Sequence, residues 1–598
     1  MIRFFQSRRA APFLYPGEEF RPSTTRKLRL TGVAHYALEM GRIRLIVTGG
    51  LFVLAFALIS ARLVDLMIID NKASATPSLA SGGSDFHDRA DILDRSGTIL
   101  ATNLPTANLY ADSTEIIDAN SSAARLKLVL KDLNQASVRE KLSSGQRFIY
   151  ISRHLTPKEQ IAVNSLGVPG FHFEATKRRI YPHGSLFGHV LGVTDTDNQG
   201  KAGIEQYFDH RLKTHNHPLV TTLDVRIQYA VRTALQAALG THHARAGAAV
   251  VTNARNGEIL ALVSLPDFDP RDIGTASKEA RFNRATLGLY EMGSTFKLFT
   301  AAMALDKEIV NLTSKYDATQ PFKVANYTID DFRGQKRWLS IPEILVYSSN
   351  IGAARMGLAV GGDVQREFLQ QLGLLSAIDL ELPEVGWPSY PVPWRDIHTV
   401  TISYGHGIAV TPVHVAAAVS TLVNGGIAVN PTFVKIPEQS NFKEKRVISD
   451  NTSKQIRALM RLVVREGSGK QAEVPGYRVG GKTGSAEKIS VRGGYSENRL
   501  LTSFVAAFPI TDPEYVVLVV LDEPKGTLAT HNFATAGWNA APTAGQIISE
   551  IAPMLGVFPD PGADPSPTLA SMLDVTEANA ELITPDFTHT FGGRGAFE

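Results

Sequence analysis

Ser294 and Lys297, three residues apart in Glu291-Met292-Gly293-Ser294-Thr295-Phe296-Lys297, form the pair in this 598-residue chain best suited to chemistry. An apolar run follows, Phe296, Leu298, Phe299, Ala301, Ala302, Met303 and Leu305, with the spacing of a buried or half-buried helix. Ser294 is therefore expected at a helix N-terminus, with Lys297 on the same face. The unpaired N–H groups and partial positive charge of a helix end can hold a developing oxyanion beside the serine oxygen. The same field, together with burial, lowers a lysine pKa and frees a neutral amine to act as base. Alone the pair says little. A capped core helix is the bland reading of the same residues.

Two later stretches change the weighing. Tyr347-Ser348-Ser349-Asn350 places a Ser-x-Asn 54 residues after Ser294, and Gly481-Lys482-Thr483-Gly484-Ser485 supplies a Lys-Thr-Gly. The trio Ser-x-x-Lys, Ser-x-Asn and Lys-Thr-Gly, in that order, marks β-lactamases and penicillin-binding proteins. The chain resembles a class B penicillin-binding protein, a monofunctional peptidoglycan D,D-transpeptidase, over roughly residues 85 to 555. Asn283-Arg284-Ala285 and Ser403-Tyr404-Gly405-His406-Gly407 are further matching stretches. Met292 stands where the family usually has Pro, and Ser485 where Thr is commoner; both keep the needed chemistry.

The resemblance implies roles for these positions. Ser294 is the nucleophile that forms an acyl-enzyme with a peptidyl-D-alanine carbonyl and releases D-alanine. Lys297 accepts its proton, Ser348 relays a proton toward the leaving amine, and Asn350 bonds the substrate amide. On a strand alternate residues share a face, so Lys482 and Gly484 point one way and Thr483 and Ser485 the other. Lys482 then biases Ser348, the two hydroxyls receive the terminal carboxylate, and Gly484 leaves room for the substrate backbone. The N–H groups of Ser294 and Ser485 form the expected oxyanion hole. This acyl transfer requires no metal or cofactor.

The implied fold is mixed α+β: a transpeptidase domain with an antiparallel sheet flanked by helices, an N-terminal pedestal domain and one transmembrane helix. Residues 1–44 carry nine Lys or Arg against three Glu, and form a basic cytoplasmic tail. Residues 45–69 are expected as the anchor. The uncharged run Leu45–Ala61 reaches only about 25 Å of a core of roughly 30 Å, so the span needs Leu63 to Ile69, with Arg44 and Arg62 snorkelling. The basic flank puts the N-terminus in the cytoplasm and the rest in the periplasm, outside the inner membrane. A cleaved signal peptide is the rival, with Ala73-Ser74-Ala75 as its site, but its leader would be far longer than usual.

Residues 70–84 read as a linker, 85–217 as the pedestal (dimerisation-type) domain, 218–558 as the transpeptidase domain and 559–598 as a mobile acidic, Pro-rich tail. Arg95-Ser96-Gly97 predicts a hairpin turn, and Lys127–Leu133 and Pro157–Leu166 predict helices. In the larger domain a helix is expected over Val225–Leu239, with strands over 247–252, 259–263, 503–508 and 515–521 and a closing helix over Ala544–Leu555.

Composition excludes little more. A net charge of +3 implies no polyanionic partner such as nucleic acid, and the lack of Cys rules out disulfides and thiol catalysis. His183, His189 and His210 show no metal-ligand spacing and read as structural. Gly476 to Thr483 formally fits a phosphate-binding loop, with Val516–Asp522 as its strand, but Gln471–Pro475 is a poor strand and Gly493-Gly494 ends any helix early. A scaffold or β-lactam sensor without catalysis is the second rival, opposed by the intact Ser294, Lys297, Ser348 and Lys482. The partners implied are stem peptides ending in D-Ala-D-Ala, β-lactams as inhibitors, and a membrane-embedded glycan polymerase with division proteins. Septal work is favoured over side-wall elongation on resemblance alone.

Overall fold

The computed structural model describes residues 46–60, 89–215, 217–436, 445–489, 495–562 and 564–572. Of the expected anchor, residues 46–60 are helical. The rest of the anchor, residues 1–44 and the linker 70–84 lie outside the described residues. Among the described residues no helix is long and apolar enough to cross a membrane. The described residues from 89 onward form one compact unit.

Its first part is built on β1 (Ile99–Ala111), β2 (Ile149–Leu155) and β3 (Phe171–Ile180), with β1 paired antiparallel to both neighbours. The expected hairpin closes Ile92–Leu93 onto β1, with Ile92 opposite Ala101. The helix expected over Lys127–Leu133 instead spans Ala119–Val129, and a second runs over Gln135–Leu142. Asp118 and Asn134 set these starts, each accepting two backbone N–H bonds as N-cap, and capping outweighed the apolar spacing. Pro157–Asn164 is a helix with a Thr156–Glu159 capping box.

The larger part follows in order as α1 (Val225–Thr241), β4 (Ala246–Asn253), β5 (Ile259–Leu265), α2 (Lys297–Asp306), α3 (Asn350–Val360), α4 (Pro412–Val423), α5 (Asp450–Arg465), β6 (Gly480–Ile489), β7 (Tyr495–Phe508), β8 (Tyr515–Asp522) and α6 (Ala540–Ile551). The five strands form one antiparallel sheet in the order β6-β7-β8-β4-β5. Every residue of β8 from Tyr515 to Leu521 is buried, because both faces are covered. Val516, Leu518 and Val520 pack with residues of α2, α4 and α5, whereas Val517, Val519 and Leu521 pack with α1 and α6. Period-two alternation thus divides one strand between two cores. The expected apolar stripe of α1, Ile227, Ala230, Val231, Leu235 and Ala238, is buried on the second of them.

Lys482 sits inside β6, an edge strand, so no helix opens there as a phosphate-binding loop requires. The chain beyond 558 also departs from expectation, since its first part is docked. Asp564 binds Arg461 on α5 at 2.7 Å, Ser566 O accepts from Arg465 at 2.8 Å, and Leu569 is 8% exposed within the main core. Two arginines of α5 and an apolar anchor supply what composition alone did not reveal.

Candidate active site

Ser294 lies in a short 3-10 turn, Gly293–Phe296, that feeds α2, one turn earlier than a simple helix start. The turn is held by close backbone approach. Gly293 has φ +51°, and its N–H donates to Gly405 O at 3.2 Å. A Cβ on Gly405 (φ +85°) would sit 2.0 Å from Gly293 O, so the Ser403–Gly407 stretch requires glycine there.

Lys297, the first residue of α2, is 1% exposed. Its Nζ lies 3.0 Å from Ser294 Oγ, 2.6 Å from Ser348 O, 3.2 Å from Ser348 Oγ and 2.8 Å from Asn350 Oδ1, all within hydrogen-bond distance. Lys482 Nζ approaches from β6 and lies 3.0 Å from Ser348 Oγ. Two amines therefore share one hydroxyl, and three of the sequence motifs meet within hydrogen-bond reach. Burial pushes Lys482 down to about 7. Lys297 is held well below its usual value, first by burial and then by the Lys482 charge, with Asp331 opposing both.

Ser348 has φ +57°, a left-handed conformation that a residue with a side chain adopts at a cost of order 1–3 kcal/mol. The residues that follow it are tied down by Asp331, which the sequence reading missed. Its carboxylate accepts from Ser349 Oγ at 2.7 Å, Asn350 N at 2.5 Å and Ile351 N at 3.0 Å, and Ser349 in turn caps α3 through Gly352 N at 3.0 Å. Asn350 Nδ2 donates to Asp330 O at 3.0 Å. An Asp some 20 residues upstream of the helix it caps leaves no periodic signal; only the fold brings it there.

Thr483 and Ser485 face an 820 Å³ cleft that also exposes Ser294, Ser348 and Asn350. Thr483 Oγ1 lies 2.6 Å from Ser468 Oγ, and Ser485 Oγ accepts from Ala536 N at 3.1 Å. His406 is in the same wall, its imidazole pushed down to about 4 by burial and by Lys297. Arg333 reaches over the Phe533 ring, 5.0 Å from its centroid, and Phe533 stacks on Trp538. Gly484 differs from its expected part. A Cβ there would meet Met292 O at 2.2 Å, Ser503 Oγ at 2.4 Å and Thr295 Oγ1 at 2.6 Å. The space a side chain would need there is filled by the Ser294 turn and by β7.

His183 Nε2 lies 3.1 Å from Ile99 O and His189 Nε2 lies 2.7 Å from Ala280 O, so both rings bond to backbone. Among the described residues no group of three or more His, Asp or Glu side chains is placed to hold a metal ion.

Residues 247–549 match the penicillin binding protein transpeptidase domain, and residues 86–226 match the penicillin-binding protein dimerisation domain. The chain is 38% identical over 482 residues to the probable peptidoglycan D,D-transpeptidase FtsI of Caulobacter vibrioides, covering 78% of this chain and 82% of that one. It is 28% identical over 506 residues to the peptidoglycan D,D-transpeptidase FtsI of Escherichia coli K12, covering 79% and 84%. In fold it is similar to penicillin-binding protein 3 of Mycobacterium tuberculosis complexed with aztreonam, at a TM-score of 0.64 and 22% identity, covering 80% of this chain and 98% of that one. With a dimerisation domain ahead of a transpeptidase domain, and Ser294, Lys297, Ser348 and Lys482 converging in one cleft, the chain belongs to the class B penicillin-binding proteins.

Proposed function

We propose that this chain cross-links peptidoglycan at the division septum, as a D,D-transpeptidase anchored by one N-terminal helix with its catalytic domain in the periplasm. The observation that carries the chemistry is Ser294 Oγ at 3.0 Å from the buried Lys297 amine. Burial lowers the pKa of this amine and so favours the neutral form that can take the hydroxyl proton. Ser294 Oγ attacks the carbonyl of the penultimate D-alanine, and the N–H groups of Ser294 and Ser485 receive the oxyanion. Ser348, bonded to both amines, passes a proton to the departing nitrogen, so D-alanine leaves as a neutral amine. The amine of a second stem peptide then attacks the ester and frees Ser294. Thr483 and Ser485 hold the terminal carboxylate, and Asn350 orients the peptide amide.

β-Lactams enter the same path, with the ring amide in place of the D-Ala-D-Ala bond. The septal assignment rests on the likeness to division transpeptidases, and glycan polymerisation falls to a membrane-embedded partner. The reaction is tested by supplying polymerised glycan with pentapeptide stems and measuring D-alanine release together with dimeric muropeptides. The wild-type chain with a polymerase should yield both, and Ser294→Ala neither. D-alanine release without dimers would make the chain a carboxypeptidase. The topology is tested by protease added to intact spheroplasts, which should degrade the bulk of the chain; protection of the bulk would reverse it.

A further inference from the structure

A second cleft, of 320 Å³, shares no lining residue with the Ser294 cleft. It is formed by β2, β3, the loop around Thr194–Asn198 and the turn at Pro270–Ile273. Its charges are lopsided. Among the described residues Asp195 is the one carboxylate in the lining, and it is engaged by Lys201 at 2.9 Å. Of the guanidinium groups, Arg271 is paired with Asp269. Arg153 lies over the Tyr150 ring, 4.3 Å from its centroid, and neither it nor Arg178 forms an ion pair with a described carboxylate. Between them on the cleft wall is His154, in the left-handed region at φ +56°.

Arg179, in the same lining, is 6% exposed. It donates through Nε to Glu205 at 2.6 Å and through Nη1 to Ala90 O at 3.0 Å, while its enclosed Nη2 has no partner among the described residues. Buried donors are ordinarily satisfied, and an unsatisfied one beside a polar cleft points to something that binds there. We propose that this cleft is an anion site for a phosphate or diphosphate group, received by the Arg153 and Arg178 guanidiniums, with Arg179 in the same lining.

The chemistry selects phosphate over a simple carboxylate. One carboxylate fills one guanidinium fork, whereas a phosphate or diphosphate presents three or more charged oxygens and can bridge several. The His154 ring reports the same surplus. Its pKa is lowered first by burial and then by Arg178 and Arg153. Two sources carry this chemistry, a phospholipid headgroup and a soluble diphosphate.

The test is titration calorimetry of the full chain in a neutral-headgroup detergent at low salt, with inorganic pyrophosphate as the probe. Saturable binding is expected. Arg153→Ala/Arg178→Ala should weaken it about tenfold or more, since each loses a charge-assisted bond. Arg366→Ala/Lys307→Ala, which removes the same charge from exposed positions outside the cleft, should leave it unchanged. Penicillin acylation should be equal in all three proteins, which separates this site from the Ser294 cleft. Repeating the titration in nanodiscs assigns the source: competition by phosphatidylglycerol, absent with phosphatidylcholine, makes it a headgroup site, and undiminished binding makes it a soluble diphosphate site. Either result supports an anion site. Absence of saturable binding, or equal weakening by both double variants, would overturn it.

Discussion

Lys482→Met should change both the rate and the pH dependence of acylation, in a way tied to the geometry of the two amines. Lys297 and Lys482 reach the same Ser348 hydroxyl, at 3.2 and 3.0 Å. Acylation needs Lys297 neutral to take the Ser294 proton and Lys482 charged to bias Ser348. In the wild-type chain the rate should rise as Lys297 loses its proton and fall again as Lys482 does, near pH 7. Methionine removes the donor to Ser348, and a lost hydrogen bond to a charged group costs about 1.5–3 kcal/mol, or roughly 10- to 150-fold in rate. It also removes a charge that lowers the Lys297 pKa, so that pKa should climb. The rising limb then moves to higher pH and the falling limb near pH 7 vanishes. The assay is the second-order acylation rate with one penicillin, read across about pH 5 to 9. A variant that keeps the falling limb would show that Lys482 is not the group behind it. A variant acylated as fast as wild type would remove Lys482 from the relay.

Other substitutions separate the remaining contacts. Lys482→Met should also raise the thermal midpoint at neutral pH. The folded value near 7 lies below the unfolded value of 10.5, so the unfolded chain binds the proton more tightly; stability rises with pH between these values and the burden is full below the lower one. Gly484→Ala should cut acylation at least about tenfold by displacing the Ser294 turn, since its Cβ meets Met292 O at 2.2 Å; an active variant would show that the turn yields freely. Asp331→Asn weakens charge-assisted bonds to Ser349, Asn350 and Ile351, so acylation should drop by about tenfold or more, with the rising limb moved to lower pH because Asp331 raises the Lys297 pKa. Ser485→Thr should alter acylation by less than about tenfold, whereas Ser485→Val should lose roughly 10- to 150-fold along with the Ala536 N contact.

The sheet strands were legible because their residues are continuous and apolar on both faces, as in β8, or bounded by turn residues, as between β4 and β5. The alternation of Lys482 and Gly484 against Thr483 and Ser485 was equally legible, because a strand has a fixed period of two. The same rule could not say what fills the space beside Gly484, since that depends on how close the Ser294 turn lies. A local cap at Asp118 fixed a helix that apolar spacing misplaced, and one at Asn134 opened a helix that apolar spacing did not predict. Asp331 and the docked segment at Asp564 were hidden for a different reason. Each works through partners distant in sequence, Ser349 in one case and Arg461 in the other, and no local pattern encodes such a pairing.

Intact-mass spectrometry after incubation with benzylpenicillin, followed by peptide mapping, bears most directly on Ser294 as the nucleophile. A single adduct of one drug mass should appear on the peptide containing Ser294, persist for the length of the experiment, and be absent from Ser294→Ala. An adduct on another residue, no adduct at all, or rapid turnover to penicilloate would contradict a transpeptidase that acts through Ser294.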